Sequence, residues 1–168
     1  MSYRYDDVPR VADERTTLLE FLRWQRATLA WKCEGLSPDQ MRMRSAPPST
    51  LSLLGLVRHM ADVERGWFRR TLAQENVEYV YETEPPTDAD FNDIDNADPD
   101  DAMRTWREEC ERGDEIIAQH DLDDVVLQRS GRQVSLRWIL VHMVEEYSRH
   151  NGHADVLRER IDGATGYD

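Results

Sequence analysis

Apolar positions recur at helical spacing in four stretches of the chain. In "DERTTLLEFLRWQRATLAWKCE", Asp13 to Glu34, the residues Leu18, Phe21, Leu22, Gln25 and Leu29 keep the 3-4 spacing of a buried stripe, which predicts an amphipathic helix. Gly35 and then Pro38 mark its end. After the loop "SAPPST" (Ser45 to Thr50), Ser49 or Thr50 can cap a second helix, "LSLLGLVRHMADVERGWFRRTLA". Leu53, Leu56, Val57, Met60, Val63 and Trp67 form its apolar side, and His59 borders that side, three residues from Leu56 and four from Val63. Asp98 followed by Pro99 is a helix start. The third helix then runs to about Gln119, with Ala102, Trp106, Cys110 and Ile116 or Ile117 toward the core and Arg104, Arg107 and Glu108 toward water. Ser135 caps the fourth, "LRWILVHMVEEYSRHNGHADVLRERI", and Gly163 stops it.

The connections have their own patterns. "VEYVYET" reads as a short extended piece, and "PPTDADFNDIDNADPD" as a loop long enough to act as a lid. A calcium-loop frame starting at Asp88 fails, because Asp93 falls where glycine is needed and Pro99 where the closing glutamate is needed. "DVVLQRSGRQVSLRW" predicts a hairpin, with Val125 to Leu127 and Gln133 to Val134 flanking a Ser-Gly turn. The reading is therefore an all-α four-helix bundle with long middle connections and a small β-hairpin before the last helix. A chain of 168 residues suits one domain, residues 1–168, around one core.

Composition narrows the function classes. With 33% charged and 39% hydrophobic residues, the chain matches an ordinary soluble globular protein. No apolar run is long enough to cross a bilayer, and the start lacks the apolar region of a signal peptide, so a cytoplasmic protein is expected. Net charge is −13, and the segment 75–101 alone holds eleven acids and no Lys or Arg. Such a surface repels phosphate backbones and anionic lipids, which argues against nucleic acid and membrane partners. Cys33 and Cys110 stand far apart, as two reduced space-filling thiols rather than a disulfide or a cysteine zinc site.

Candidate chemistry lies on the fourth helix. Ile139, Met143, Glu146, His150, His153, Leu157 and Ile161 follow one another at three- and four-residue steps, the register of a core stripe. Its ends are apolar, but its middle is a carboxylate and two imidazoles. An unpaired carboxylate buried there would cost several kcal/mol, and a coordinated cation offsets that cost. Residues four apart on a helix have Cβ atoms about 5–6 Å apart, so Glu146 and His150 can clasp one ion. His59 supplies a third donor from the second helix, as ligands on two bundle helices commonly do. The alternative is that Glu146 and His150 sit wet at the stripe's edge or pair with Arg58, Arg65 or Arg149. His142, four residues before Glu146, reads as an outer partner of the site or as packing, and Arg58 and Arg149 as further outer partners. His120 complements the dipole at the end of the third helix.

"VRHM" in the second helix and "LVHMVEEYSRHNGHADVLRERIDGATG" at the end resemble the DinB-like superfamily of metal-binding four-helix bundles. More narrowly, they resemble an actinobacterial branch of unknown function. The superfamily pattern is a histidine triad, one ligand from the second helix and two, four residues apart, from the fourth. His59 matches the first position and His150, followed by Asn-Gly, the last. The middle position, usually histidine, is Glu146, as in related thiol-dependent isomerases. His153 replaces a glutamine often found three residues after the last ligand, which leaves three ligands or four.

The resemblance implies a metal-dependent S-transferase that uses a low-molecular-weight thiol, such as mycothiol or bacillithiol, on an electrophilic small molecule. It also implies a homodimer. Two histidines and a glutamate are a known catalytic zinc set, and they suit nickel, iron or manganese as well. Arg58, Arg65 or Arg149 could anchor carboxylates of the thiol or form surface ion pairs, and Trp24 and Trp67 could line the mouth or simply pack. The alternatives are a metal-dependent hydrolase and a non-catalytic, metal-stabilised binding module in which His153 closes the coordination sphere.

Overall fold

The computed structural model describes residues 3–83 and 86–166. After a short 3₁₀ turn at Tyr5–Asp7 come α1 (Glu14–Cys33), α2 (Pro38–Arg42) and α3 (Leu53–Glu64). A π-helical segment, Arg65–Leu72, continues α3. It is followed by α4 (Ala89–Asn92), α5 (Pro99–Ile117), the strands β1 (Val125–Leu127) and β2 (Gln133–Ser135), and α6 (Leu136–Asp162). Among the described residues the fold is all-α apart from the predicted hairpin, antiparallel with Val126 opposite Val134. Among the described residues, no helix is long and apolar enough to cross a membrane.

The predicted boundaries hold where local chemistry sets them. Asp13 accepts the N–H of Thr16 and starts α1. Asp98 accepts the N–H of Asp100 and starts α5, with Pro99 in the first turn. Ser135 Oγ accepts from the N–H of Trp138 at the head of α6 (3.2 Å). Gly35 and Gly163, after α1 and α6, have φ of 76° and 79°, a region only glycine enters without strain.

Three expectations need correction. The residues beyond Gly35 form α2, closed by a reciprocal cap between Ser37 and Gln40. "VEYVYET" is not a strand: the N–H groups of Val80, Tyr81 and Glu82 all donate to the Asp62 carboxylate, at 2.6, 3.0 and 2.8 Å. The acidic loop contains the single turn of α4, entered through Asp88 at φ 55°. Its residues Glu84 and Pro85 lie outside the described residues.

The chain divides into two compact units, one of residues 1–53 and 140–168, the other of 54–139. In the first, α1 packs on α6 around Leu22, Leu29, Met143, Tyr147, Ala154 and Leu157, all buried. Polar contacts fix the register. Asn151 Nδ2 donates to the backbone carbonyl and Oε1 of Gln25 (3.0 and 2.7 Å). Lys32, fully buried, pairs with Asp155 at 2.5 Å. Arg158 donates to the carbonyls of Lys32 and Glu34, capping the end of α1.

In the second unit α5 packs on the π-helical segment, with Trp106, Ile116 and Phe68 buried. The N–H of Ala73 donates to the carbonyl of Phe68, five residues back (2.9 Å). Such widened turns occur often at functional sites. Arg65 and Arg69 converge on the buried Glu109 carboxylate, and Arg69 and Arg112 on Glu75. The contacts from Arg69 and then Arg112 hold the Glu75 carboxyl below its ordinary range. Cys33 and Cys110 are buried thiols outside any disulfide, as expected.

Candidate metal centre

The α6 donors are presented by one helix. Its fully buried line runs through Met143, Tyr147, Asn151 and Ala154, one residue round from the predicted stripe. Glu146, His150 and His153 flank that line and are half-buried. Glu146 thus sits where water or an ion can reach it, which lowers the cost of its charge.

The two oxygens of Glu146 face different imidazoles. Oε2 lies 3.3 Å from His150 Nε2, and Oε1 lies 3.4 Å from His142 Nε2. Both separations are long for a hydrogen bond. They match the spacing of two ligand atoms on one tetrahedral zinc ion, about 3.3–3.4 Å for bonds of about 2.0–2.1 Å. His142 Nδ1 is 3.4 Å from Glu145 Oε2. His150 and His153 stack edge-on, ring centroids 5.6 Å apart. Arg149 is exposed.

In the second unit, His59 is half-buried on α3, and its Nδ1 lies 2.7 Å from Asp90 Oδ2. An ionised carboxylate only accepts, so the contact makes Nδ1 the donor, and a ring protonated there alone keeps its lone pair on Nε2. Asp90 is 3% exposed. Phe91 stacks on the His59 ring at 4.8 Å, so carboxylate and aromatic together fix the imidazole. A buried carboxylate behind a histidine is the usual outer partner of a metal ligand. Sequence reasoning missed Asp90, because it is one of eleven acids in a run that offers no contrast. Only the apolar Phe91 beside it gives a hint.

His59 lines a cleft of about 690 Å³ in this unit, walled by Gly66, Trp67, Arg70, Tyr79 and Phe91 among others. The π-helical segment supplies Gly66, Trp67 and Arg70. A Cβ on Gly66 would stand 3.3 Å from the Tyr79 ring, so glycine keeps that wall open. Arg70, buried, stacks on the Tyr79 ring at 3.9 Å. Two carboxylates hold the strap, residues 77–83, along the cleft's edge. Asp62 takes the three N–H groups described above, and Glu82 accepts from the N–H groups of Thr83, Thr87 and Asp88. Desolvation by burial outweighs those N–H bonds at Asp62 and raises its pKa. The hydrogen bond from Thr87 leads in lowering that of Glu82.

The arginines and tryptophans serve mainly in packing and pairing, the plainer of the two roles open to them. Arg58 is buried, donates to the carbonyls of Asp93 and Ala89, and covers the Tyr81 ring at 4.4 Å; it braces α4. Arg65 serves Glu109 and the carbonyl of Glu78. Trp24 packs on Tyr5 and Phe21. Trp67 both packs on Trp138, at 5.3 Å, and lines the cleft. His120 Nδ1 meets the Ile116 carbonyl at the end of α5 (2.9 Å).

These features define a helical protein in which a carboxylate-held imidazole lines a substrate-sized cleft of one unit, and histidines and a carboxylate are grouped on α6. The solved structure of YfiT from Bacillus subtilis, described as a probable metal-dependent hydrolase with an unusual four-helix bundle topology, is similar. It aligns with a TM-score of 0.67 and 16% identity over 93% of this chain and 94% of its own. The fold is thus that four-helix bundle. Residues 17–163 match the model of the mycothiol-S-transferase family, and the chain belongs to that family. No relative among curated proteins matches it.

Proposed function

We propose that the protein is a metal-dependent thiol S-transferase whose metal ligands are His59, Glu146 and His150, the donor set that the sequence pattern singles out. The observation that carries the reading is the His59–Asp90 contact. A buried carboxylate fixes the tautomer that leaves Nε2 as a donor, at the wall of a cleft of substrate size. The pair Glu146 and His150 adds a charged oxygen and a second imidazole at ligand-to-ligand spacing. Two nitrogens and one carboxylate oxygen suit zinc first, and nickel, iron or manganese as well.

A divalent cation at these donors supplies the charge that keeps a coordinated thiol ionised near neutral pH, where a free thiol of pKa about 8.5 is mostly protonated. The protein's own part is positioning. Asp90 and Phe91 hold the His59 ring; Trp67, Tyr79 and Phe91 offer apolar faces to the electrophile; Arg70 places positive charge in the cleft wall for an anionic group of the thiol or the acceptor. Membership of the mycothiol-S-transferase family supports mycothiol as the thiol. A cytoplasmic, dimeric enzyme without nucleic acid partners belongs to the same reading.

The test is conjugation of mycothiol to a haloaromatic acceptor by zinc-loaded protein, followed by loss of free thiol. Activity in the wild type and its absence in His59→Ala and His150→Ala would support the reading. Metal-loaded protein that consumes no thiol across a broad acceptor panel, but cleaves esters or amides, would replace it with metal-dependent hydrolysis.

A further inference from the structure

Glu146 is shared. Its Oε2 faces His150, while its Oε1 faces the Nε2 of His142 at 3.4 Å, one helical turn in the opposite direction. Glu145 stands beside His142 on the same helix, its Oε2 3.4 Å from Nδ1. One ligand atom each from His142, Glu145 and Glu146 can be chosen so that all three lie within 4.8 Å of one another. His142 and Glu146 are half-buried, with side chains 22% and 24% exposed, whereas Glu145 is 56% exposed. We propose that His142, Glu145 and Glu146 form a second, weaker divalent-cation site, and that Glu146 is a bridging carboxylate with one oxygen for each ion.

Three features support this over a simple ion pair. The 3.4 Å gap between Oε1 and Nε2 is too wide for a good hydrogen bond, yet it is the edge length of a coordination tetrahedron, about 3.3–3.4 Å. Glu146 directs its two oxygens to two Nε2 atoms on opposite sides, as a bridge requires. An imidazole at i with carboxylates at i+3 and i+4 places three donors on one face without help from another helix. The exposure of Glu145 leaves the remaining coordination positions to water, which makes this the weaker site. An ion there would draw charge from Glu146 and so leave the first ion more electrophilic.

The inference rests on the proposed function for its other ion, through the shared Glu146. The experiment is a calorimetric zinc titration of metal-free protein, comparing the wild type with His142→Ala, His59→Ala and Glu145→Gln, each confirmed folded by circular dichroism. The wild type should take up two equivalents, the second more weakly. His142→Ala should keep the tight equivalent and lose the second, and Glu145→Gln should weaken the second alone. His59→Ala should lose the tight equivalent and keep the weaker one. A wild type that saturates at one equivalent, or a His142→Ala protein that still takes two, overturns the second site and leaves the first standing. If His59→Ala leaves tight binding intact while His142→Ala removes it, the proposed first site fails instead.

Discussion

His59 is held by a carboxylate thirty-one residues further along the chain, whereas Glu146 and His150 are brought together by four residues of the same helix. The first arrangement exists only if the strap and α4 fold back correctly. That depends on Asp62 gathering the N–H groups of Val80, Tyr81 and Glu82, on Glu82 organising the next turn, and on Arg58 bracing the carbonyls of α4. The second needs nothing beyond the helical period. His59 and the α6 pair therefore differ in fragility. Damage to the strap reaches His59, while the α6 pair survives anything that leaves its helix intact.

Removing a donor should have the largest effect. Glu146→Ala and His150→Ala are each expected to lower metal affinity by more than the 10–100-fold typical of an outer partner, with helix content unchanged, since both side chains lie beside the fully buried line of α6 rather than on it. Metal content after dialysis, read beside circular dichroism, checks this. Asp90→Asn should fall within that 10–100-fold range and should also speed amide exchange across α4. An unchanged affinity would show that the buried carboxylate does not orient His59.

Asp62→Ala removes the acceptor of three N–H groups, and leaving even one of them buried costs about 1–3 kcal/mol. Chemical denaturation should show that loss, with early proteolysis at residues 78–83. Asp62 also carries a pH signature. Burial raises its folded pKa above the ordinary 3.8, so between those values the folded state binds more protons than the unfolded one. Its contribution to stability is therefore full below pH 3.8 and is lost as pH rises through the folded value. Asp62→Asn should flatten that slope in a pH series of unfolding curves.

Gly113→Ala should cost about 1–3 kcal/mol by overpacking, because its Cβ would stand 2.8 Å from Phe68 Cδ2. Gly152→Ala should do the reverse. Nothing lies within 4 Å of a Cβ there on exposed α6, and helix propensity favours alanine by about 0.8–1.0 kcal/mol. Thermal melts of the pair would place the tight packing in the second unit and the tolerance on α6.

The letters alone determined the four long helices, the caps at Asp13, Asp98 and Ser135, the stops at Gly35 and Gly163, the hairpin and the grouping of histidines and carboxylates on α6; α2, α4 and the start of α3 at Leu53, beyond the expected caps Ser49 and Thr50, came only from the folded chain. Each of the former follows from chemistry within a few residues: Asp13, Asp98 and Ser135 meet N–H groups two or three positions on, and Gly35 and Gly163 take dihedrals that other residues avoid. Periodicity placed Glu146 and His150 one position away from the buried line, because a 3.6-residue repeat read in whole steps cannot separate a core residue from its flank. Tertiary structure alone decided which of the many acids matter. Asp62, Asp90 and Glu109 look like their neighbours in the sequence and differ only in what folds against them. Burial turns a solvated charge into a hydrogen-bond anchor, and burial is a property of the folded chain.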